Sequence, residues 1–161
     1  MTISFTAPGP VPEAAAPARL HVLGNILTFH LRAAQTGGAF SLVDCETLPG
    51  AGTPPHVQEH DDEAFLVLQG RYDFMLDGET VSHGPGGFLR VRTGQVHAFR
   101  NAGDAPARML ILNWPGGLHE GFFDAIGDPL APGEAPQPAA PDMPRIFAAA
   151  QAAGIHILPP A

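Results

Sequence analysis

Cysteine is nearly absent from this chain of 161 residues: Cys45 stands alone. A single thiol excludes an internal disulfide framework and any zinc site built on cysteines, and the chain reads as cytoplasmic by default. Basic residues are also scarce. Eight Lys+Arg against sixteen Asp+Glu give a net charge of −8. That balance argues against a nucleic-acid partner, because phosphate contacts need a positive surface, and against an anionic membrane surface for the same reason. No apolar run approaches the roughly 18 residues of a membrane span. Residues 1–17 have neither the basic head nor the apolar centre of a signal peptide. Charged residues make up only 15% and apolar residues 45%, so extended disorder is excluded for most of the chain and one domain core can be buried.

Glycine (19) and proline (18) are abundant, which favours short strands joined by turns over a helical bundle. A Pro/Ala-rich arm spans residues 1–19. From Leu20 the chain becomes apolar and β-branched, broken by Gly24-Asn25, and reads as two short strands or one bulged strand. Further strands follow at residues 39–48, 64–68, 72–76, 80–82, 88–91, 95–99 and 108–114. Between them lie turn signals, of which Asp77-Gly78 is the strongest. Strands of this length at intervals of about 8–12 residues predict an all-β sandwich or barrel over residues 20–116. A helical extension and tail occupy residues 117–161. Residues 120–126 carry an apolar side and end at Gly127, and residues 128–141 read as a surface connector. Asp142 and Pro144 open a second helix that Gly154 stops near Ala153.

Two polar stretches carry the chemistry. The first is Gly50-x5-His56-x-Gln58-Glu59-His60-Asp61-Asp62-Glu63-x6-Gly70. The second is Gly86-x5-Arg92-x-Gly94-x2-His97-x3-Asn101. Residues two apart on a strand share a face, so His56 and Gln58 project together, and His60 joins them if the strand continues. Glu63 begins a buried strand and His97 lies on a later one. Two imidazoles and a carboxylate converging inside a small barrel make a facial site for a divalent first-row metal.

These stretches resemble the two motifs of the cupin superfamily. Gly50, His56, Glu63, Gly70, Gly86, Gly94, His97 and Asn101 agree with the family pattern in type and spacing. Gln58 stands where the family has its second histidine, and Arg92 where it has proline. The runs Gly37-Gly38-Ala39-Phe40-Ser41, Pro54-Pro55-His56-Val57 and Asp62-Glu63-Ala64-Phe65, with the tail at residues 153–158, are similar to small single-domain cupins of the quercetin 2,3-dioxygenase kind. The resemblance implies a jelly-roll barrel (a double-stranded β-helix) with short C-terminal helices. It also implies one divalent transition metal (Fe, Mn, Co, Ni, Cu or Zn) on His56, Glu63 and His97, with Gln58 or His60 as a fourth group. Three protein ligands leave open positions for O2 or a chelating substrate. The activity implied is a dioxygenase acting on a flavonol-like or other enolisable aromatic small molecule. Glu63 would serve as both ligand and catalytic base if burial raises its pKa.

Gln58 leaves three readings open: a weak ligand through Oε1, a hydrogen-bond partner of metal-bound water, or the mark of a site that has lost its metal. The last keeps a non-catalytic binding or sensing protein in view. His21, His30, His83, His119 and His156 lack partners at ligand spacing and read as surface or packing residues, with His156 alone near the barrel mouth. Phe65, Val67, Phe99 and strand residues 109–113 are expected to line the interior. The strand at 64–68 is apolar on both faces. A face meeting water would alternate with polar residues, so a homodimer is expected, with the N-terminal segment as the other possible cover.

Overall fold

The computed structural model describes residues 19–136 and 140–159; the expected Pro/Ala-rich arm, through residue 18, lies outside the described residues. The first hairpin joins β1 (Arg19–Val22) to β2 (Asn25–Leu31), settling the first apolar stretch as two strands. Its two-residue turn, Leu23 (φ 52°) and Gly24 (φ 84°), has the paired positive φ that fits the strand twist. The chain continues through β3 (Ser41–Thr47), β4 (His56–Gln58), β5 (Asp62–Gln69), β6 (Tyr72–Leu76), β7 (Glu79–His83), β8 (Phe88–Val91), β9 (His97–Asn101) and β10 (Ala107–Trp114). Then come α1 (Leu118–Ile126), β11 (Asp128–Leu130), α2 (Met143–Ala153) and β12 (Ile155–Ile157).

The strands form two antiparallel sheets, ordered β11-β1-β2-β3-β10-β5-β8 and β12-β4-β9-β6-β7, which close as a jelly-roll barrel. The pleat decides which side chains enter. On β10, Ala107, Met109, Ile111 and Asn113 are buried, while the residues between them are exposed or half-buried. Val43, Cys45, Phe65, Val67 and Met109 of one sheet meet Tyr72, Phe74 and Phe99 of the other in a single core. The Phe65 ring lies 5.3 Å from Phe74 and 5.8 Å from Phe99, separations typical of favourable aromatic packing.

Several local expectations shift by a few residues. Residues 95 and 96 lie in irregular backbone after the Thr93-Gly94 turn, and β9 starts at His97. The Asp77 carboxylate, from the β6–β7 hairpin, accepts hydrogen bonds from the Val96 amide (3.0 Å) and from Gln95 Nε2 (2.9 Å). This fixes the segment that delivers His97. The connector after α1 is not wholly irregular, because Asp128–Leu130 pairs with β1. Helix α1 starts at Leu118, two residues earlier than expected. Gly127 ends it with extended backbone (φ −76°) instead of a left-handed cap. Helix α2 has the expected limits: Asp142 accepts from the Arg145 amide, and Gly154 is left-handed (φ 69°). Strands β11 and β12 both come from beyond residue 116, and each extends one of the two sheets. No helix among the described residues is long and apolar enough to cross a membrane.

Candidate metal centre

His56 and His97 are direct register partners on β4 and β9, and their rings lie 4.1 Å apart. Glu63 comes from β5 in the facing sheet, so the site bridges both walls of the barrel. The ligating atoms of His56, Glu63 and His97 all lie within 4.8 Å of one another, and all three residues are buried. The structure therefore brings together the three expected ligands.

Each histidine is oriented by its backbone surroundings. His56 Nδ1 lies 2.9 Å from the Pro54 carbonyl and His97 Nδ1 3.1 Å from the Gln95 carbonyl. A carbonyl only accepts, so each Nδ1 carries the proton and each Nε2 is left with its lone pair, as metal binding requires. His97 Nε2 then faces Glu63 Oε2 at 3.2 Å. Two acceptors at that distance repel unless a second proton or a cation lies between them, and a divalent ion meets this need with the donors present. Asn113, the register partner of Glu63, donates to Glu63 Oε1 at 3.0 Å and holds the carboxylate in place.

The electrostatics reverse one expectation. Burial pushes the Glu63 pKa up, but the adjoining His97 imidazole, with His119 and His56 close by, outweighs it and holds it at about 2. Glu63 is a charged carboxylate suited to ligation, and a poorer base than burial alone would make it. For His56, burial and the nearby His97 both oppose protonation and lower its pKa to about 4.

Gln58 is 1% exposed and points into the cluster. Its Nε2 donates to Glu63 Oε2 at 2.9 Å and lies 3.5 Å from His97 Nε2. Its Oε1 has no hydrogen-bond partner among the described residues. His60 is not brought to the cluster. Its side chain is 57% exposed and its Nε2 lies 3.8 Å from Glu59 Oε2. His156 is likewise exposed and pairs with Glu59 at 2.7 Å.

His119 corrects the sequence reading in a way that bears on the site. It is 4% exposed; its Nδ1 lies 2.7 Å from Asp61 Oδ2, and its Nε2 lies 3.2 Å from Gln58 Nε2. Burial disfavours its charged form, but the Asp61 hydrogen bond and the charges of Glu63 and Asp61 raise its pKa overall. A usable signal exists in the sequence: His119, Phe122, Phe123 and Ile126 fall at i, i+3, i+4 and i+7, the inward stripe of an amphipathic helix. Asp61 (1% exposed) carries no such mark, sitting in an acidic run that otherwise reads as solvated.

Beside the cluster lies a cavity of about 530 Å³, with His56, Glu63 and His119 among its polar lining. Phe99 and Ile111 line it as expected. Phe65 and Val67 do not and are packed in the core instead. The remaining wall is mostly apolar and includes Phe122 and Phe123 of α1, Ile146 and Phe147 of α2, and Ile155 and Ile157 of β12.

Residues 43–113 match the model of the cupin domain. Over 62 residues the chain is 36% identical to polyketide synthase CurC of Streptomyces cyaneus, a match covering 38% of this chain and 40% of that protein. The chain thus aligns with well under half the length of this curated relative. Among solved structures, a predicted oxalate decarboxylase from Thermotoga maritima superposes with a TM-score of 0.55 at 20% identity, over 62% of this chain and 91% of that one. The cupin domain of Schizosaccharomyces pombe Cnp3 gives 0.54 at 19% identity, over 76% and 82%. At such identities the likeness is one of fold. The barrel topology is therefore that of the cupin jelly roll, and the cupin-domain match falls within its strands, from β3 to β10.

Proposed function

We propose that this protein is a metal-dependent dioxygenase acting on a flavonol-like or other enolisable aromatic substrate. The observation that carries the reading is the placement of His56, Glu63 and His97 at one side of a cavity that is otherwise largely apolar. A divalent ion held there supplies Lewis acidity toward a substrate oxygen and, for a redox-active metal, the electron chemistry that O2 needs. The residues do the rest. The apolar wall excludes water and receives a flat, weakly polar body. Asn113 fixes the Glu63 carboxylate, and the backbone carbonyls of Pro54 and Gln95 keep both imidazoles aimed inward.

Among the described residues, the cavity lining includes Glu63 but no arginine or lysine. A small anion would find no countercharge there apart from the metal, so a neutral enol or phenol is the better match. The naming of the Streptomyces relative as a polyketide synthase agrees with this class, because polyketide chains are rich in enolisable carbonyls.

One observation favours a second reading, a non-catalytic binding protein: the Gln58 amide donates to Glu63 and partly fills the site with a neutral group. Elemental analysis after metal-replete expression, followed by O2 uptake with catechols and flavonols, separates the two. Bound metal with substrate-dependent O2 uptake is the expected result. Bound metal without uptake on any of them would leave the binding protein as the surviving reading.

A further inference from the structure

We propose that His119, carried by α1 from outside the barrel strands, is a direct ligand of the metal centre and supplies a third imidazole beside His56 and His97. The inference rests on the metal-dependent reading above and goes beyond the three strand-borne ligands.

The side chains converge on one point. The Gln58 amide nitrogen lies 2.9 Å from Glu63 Oε2, 3.5 Å from His97 Nε2 and 3.2 Å from His119 Nε2. Three potential ligand atoms thus surround the same nitrogen at hydrogen-bond range. That range is about 1 Å longer than bonds from these atoms to a first-row metal. An ion taking the place of the amide nitrogen would meet His119 together with Glu63 and His97.

His119 is also prepared for the role. Its Nδ1 is tied to Asp61 Oδ2 at 2.7 Å, which leaves Nε2 facing the centre. A carboxylate behind the imidazole is the arrangement that orients metal-binding histidines and raises their donor strength. Both residues are buried, His119 at 4% and Asp61 at 1% exposure. Phe122 and Phe123 pack beside the ring, with centroids at 6.3 and 5.4 Å. Gln58 is the weaker competitor, because an amide oxygen is a poorer donor than imidazole for these metals. Its Oε1 is buried without a partner, an unfavourable state that swinging the amide out of the centre can relieve.

The test uses metal-stripped full-length protein, with Co(II) titrations and Cu(II) electron paramagnetic resonance. Wild type, His56→Ala and His119→Phe are compared; phenylalanine keeps an aromatic ring against Phe122 and Phe123. The expected result is three nitrogen couplings in wild-type Cu(II) spectra and two in His119→Phe. Co(II) affinity should fall by more than the roughly 10–100-fold typical of groups that only support a ligand. Two nitrogens in the wild type, a count that needs no variant to fold, would overturn the proposal while leaving the metal reading intact. So would wild-type affinity in His119→Phe. Failure of the wild type to bind either ion would instead overturn the metal reading itself, and this inference with it.

Discussion

His56 sits among groups that resist its protonation. Its pKa drops from 6.5 to about 4 on folding, through burial and then the neighbouring His97. Between those values the unfolded chain binds a proton that the folded chain refuses, so stability falls as pH falls through that window and levels off below it. His119 works in the opposite sense. Its raised pKa gives a contribution that is fully present below pH 6.5 and is lost as pH rises through the folded value. Urea unfolding of the metal-free protein should therefore show His56→Gln flattening the acid limb and His119→Phe flattening the other limb. A His56→Gln variant as acid-sensitive as the wild type would contradict the assignment. At this scale His56, Glu63 and His97 were legible, because their spacing within and between strands sets the inward parity. His119 and Asp61 were not, because they meet across 58 residues and depend on where α1 comes to rest.

Helix α2 is held by local chemistry that its own residues announce: Asp142 at the N-cap, Pro144 in the first turn and a left-handed Gly154. Its limits could be read directly for that reason. The pairing of β11 with β1 and of β12 with β4 could not, since three-residue strands leave no periodic pattern and their partners are about a hundred residues away. The same helix lines the apolar cavity with Ile146 and Phe147. Asp142→Ala should cost roughly 1 kcal/mol of helix stability and weaken binding of an apolar ligand, without altering metal content, whose proposed ligands lie on the barrel strands and α1. Hydrogen exchange over residues 143–153 combined with ligand titration checks this. Faster exchange with unchanged ligand affinity would show that α2 is not part of the binding wall.

The outer face of the larger sheet carries an apolar patch: Leu66 (36% exposed), Leu68 (38%) and Phe88 (60%). Leu66 and Phe88 are register partners on β5 and β8, and β8 is the sheet edge. Among the described residues, Leu66 and Leu68 are the apolar side chains of 64–68 left exposed on that face, since Ala64 is buried. We propose that a second copy covers the patch in a symmetric homodimer, the commonest form of self-association. Light scattering at micromolar concentration should give a dimer. The double substitution Leu66→Glu and Phe88→Glu should give a monomer with undiminished metal content. A monomeric wild type would refute the proposal.

Because β1 must wait for residues 128–130, and β4 for residues 155–157, neither sheet gains its edge strand until most of the chain has been made. At about 5–20 residues per second of synthesis, β1 remains without its outer neighbour for roughly 5–20 seconds. Such long-range pairing also slows folding once synthesis ends. Loading of the proposed centre would correspondingly be a late event in the protein's life. His56 and Glu63 emerge well before His97 and His119, so a nascent chain would offer only half of the proposed site. A metal centre assembled in this order would take its ion from what is free when the last strands close.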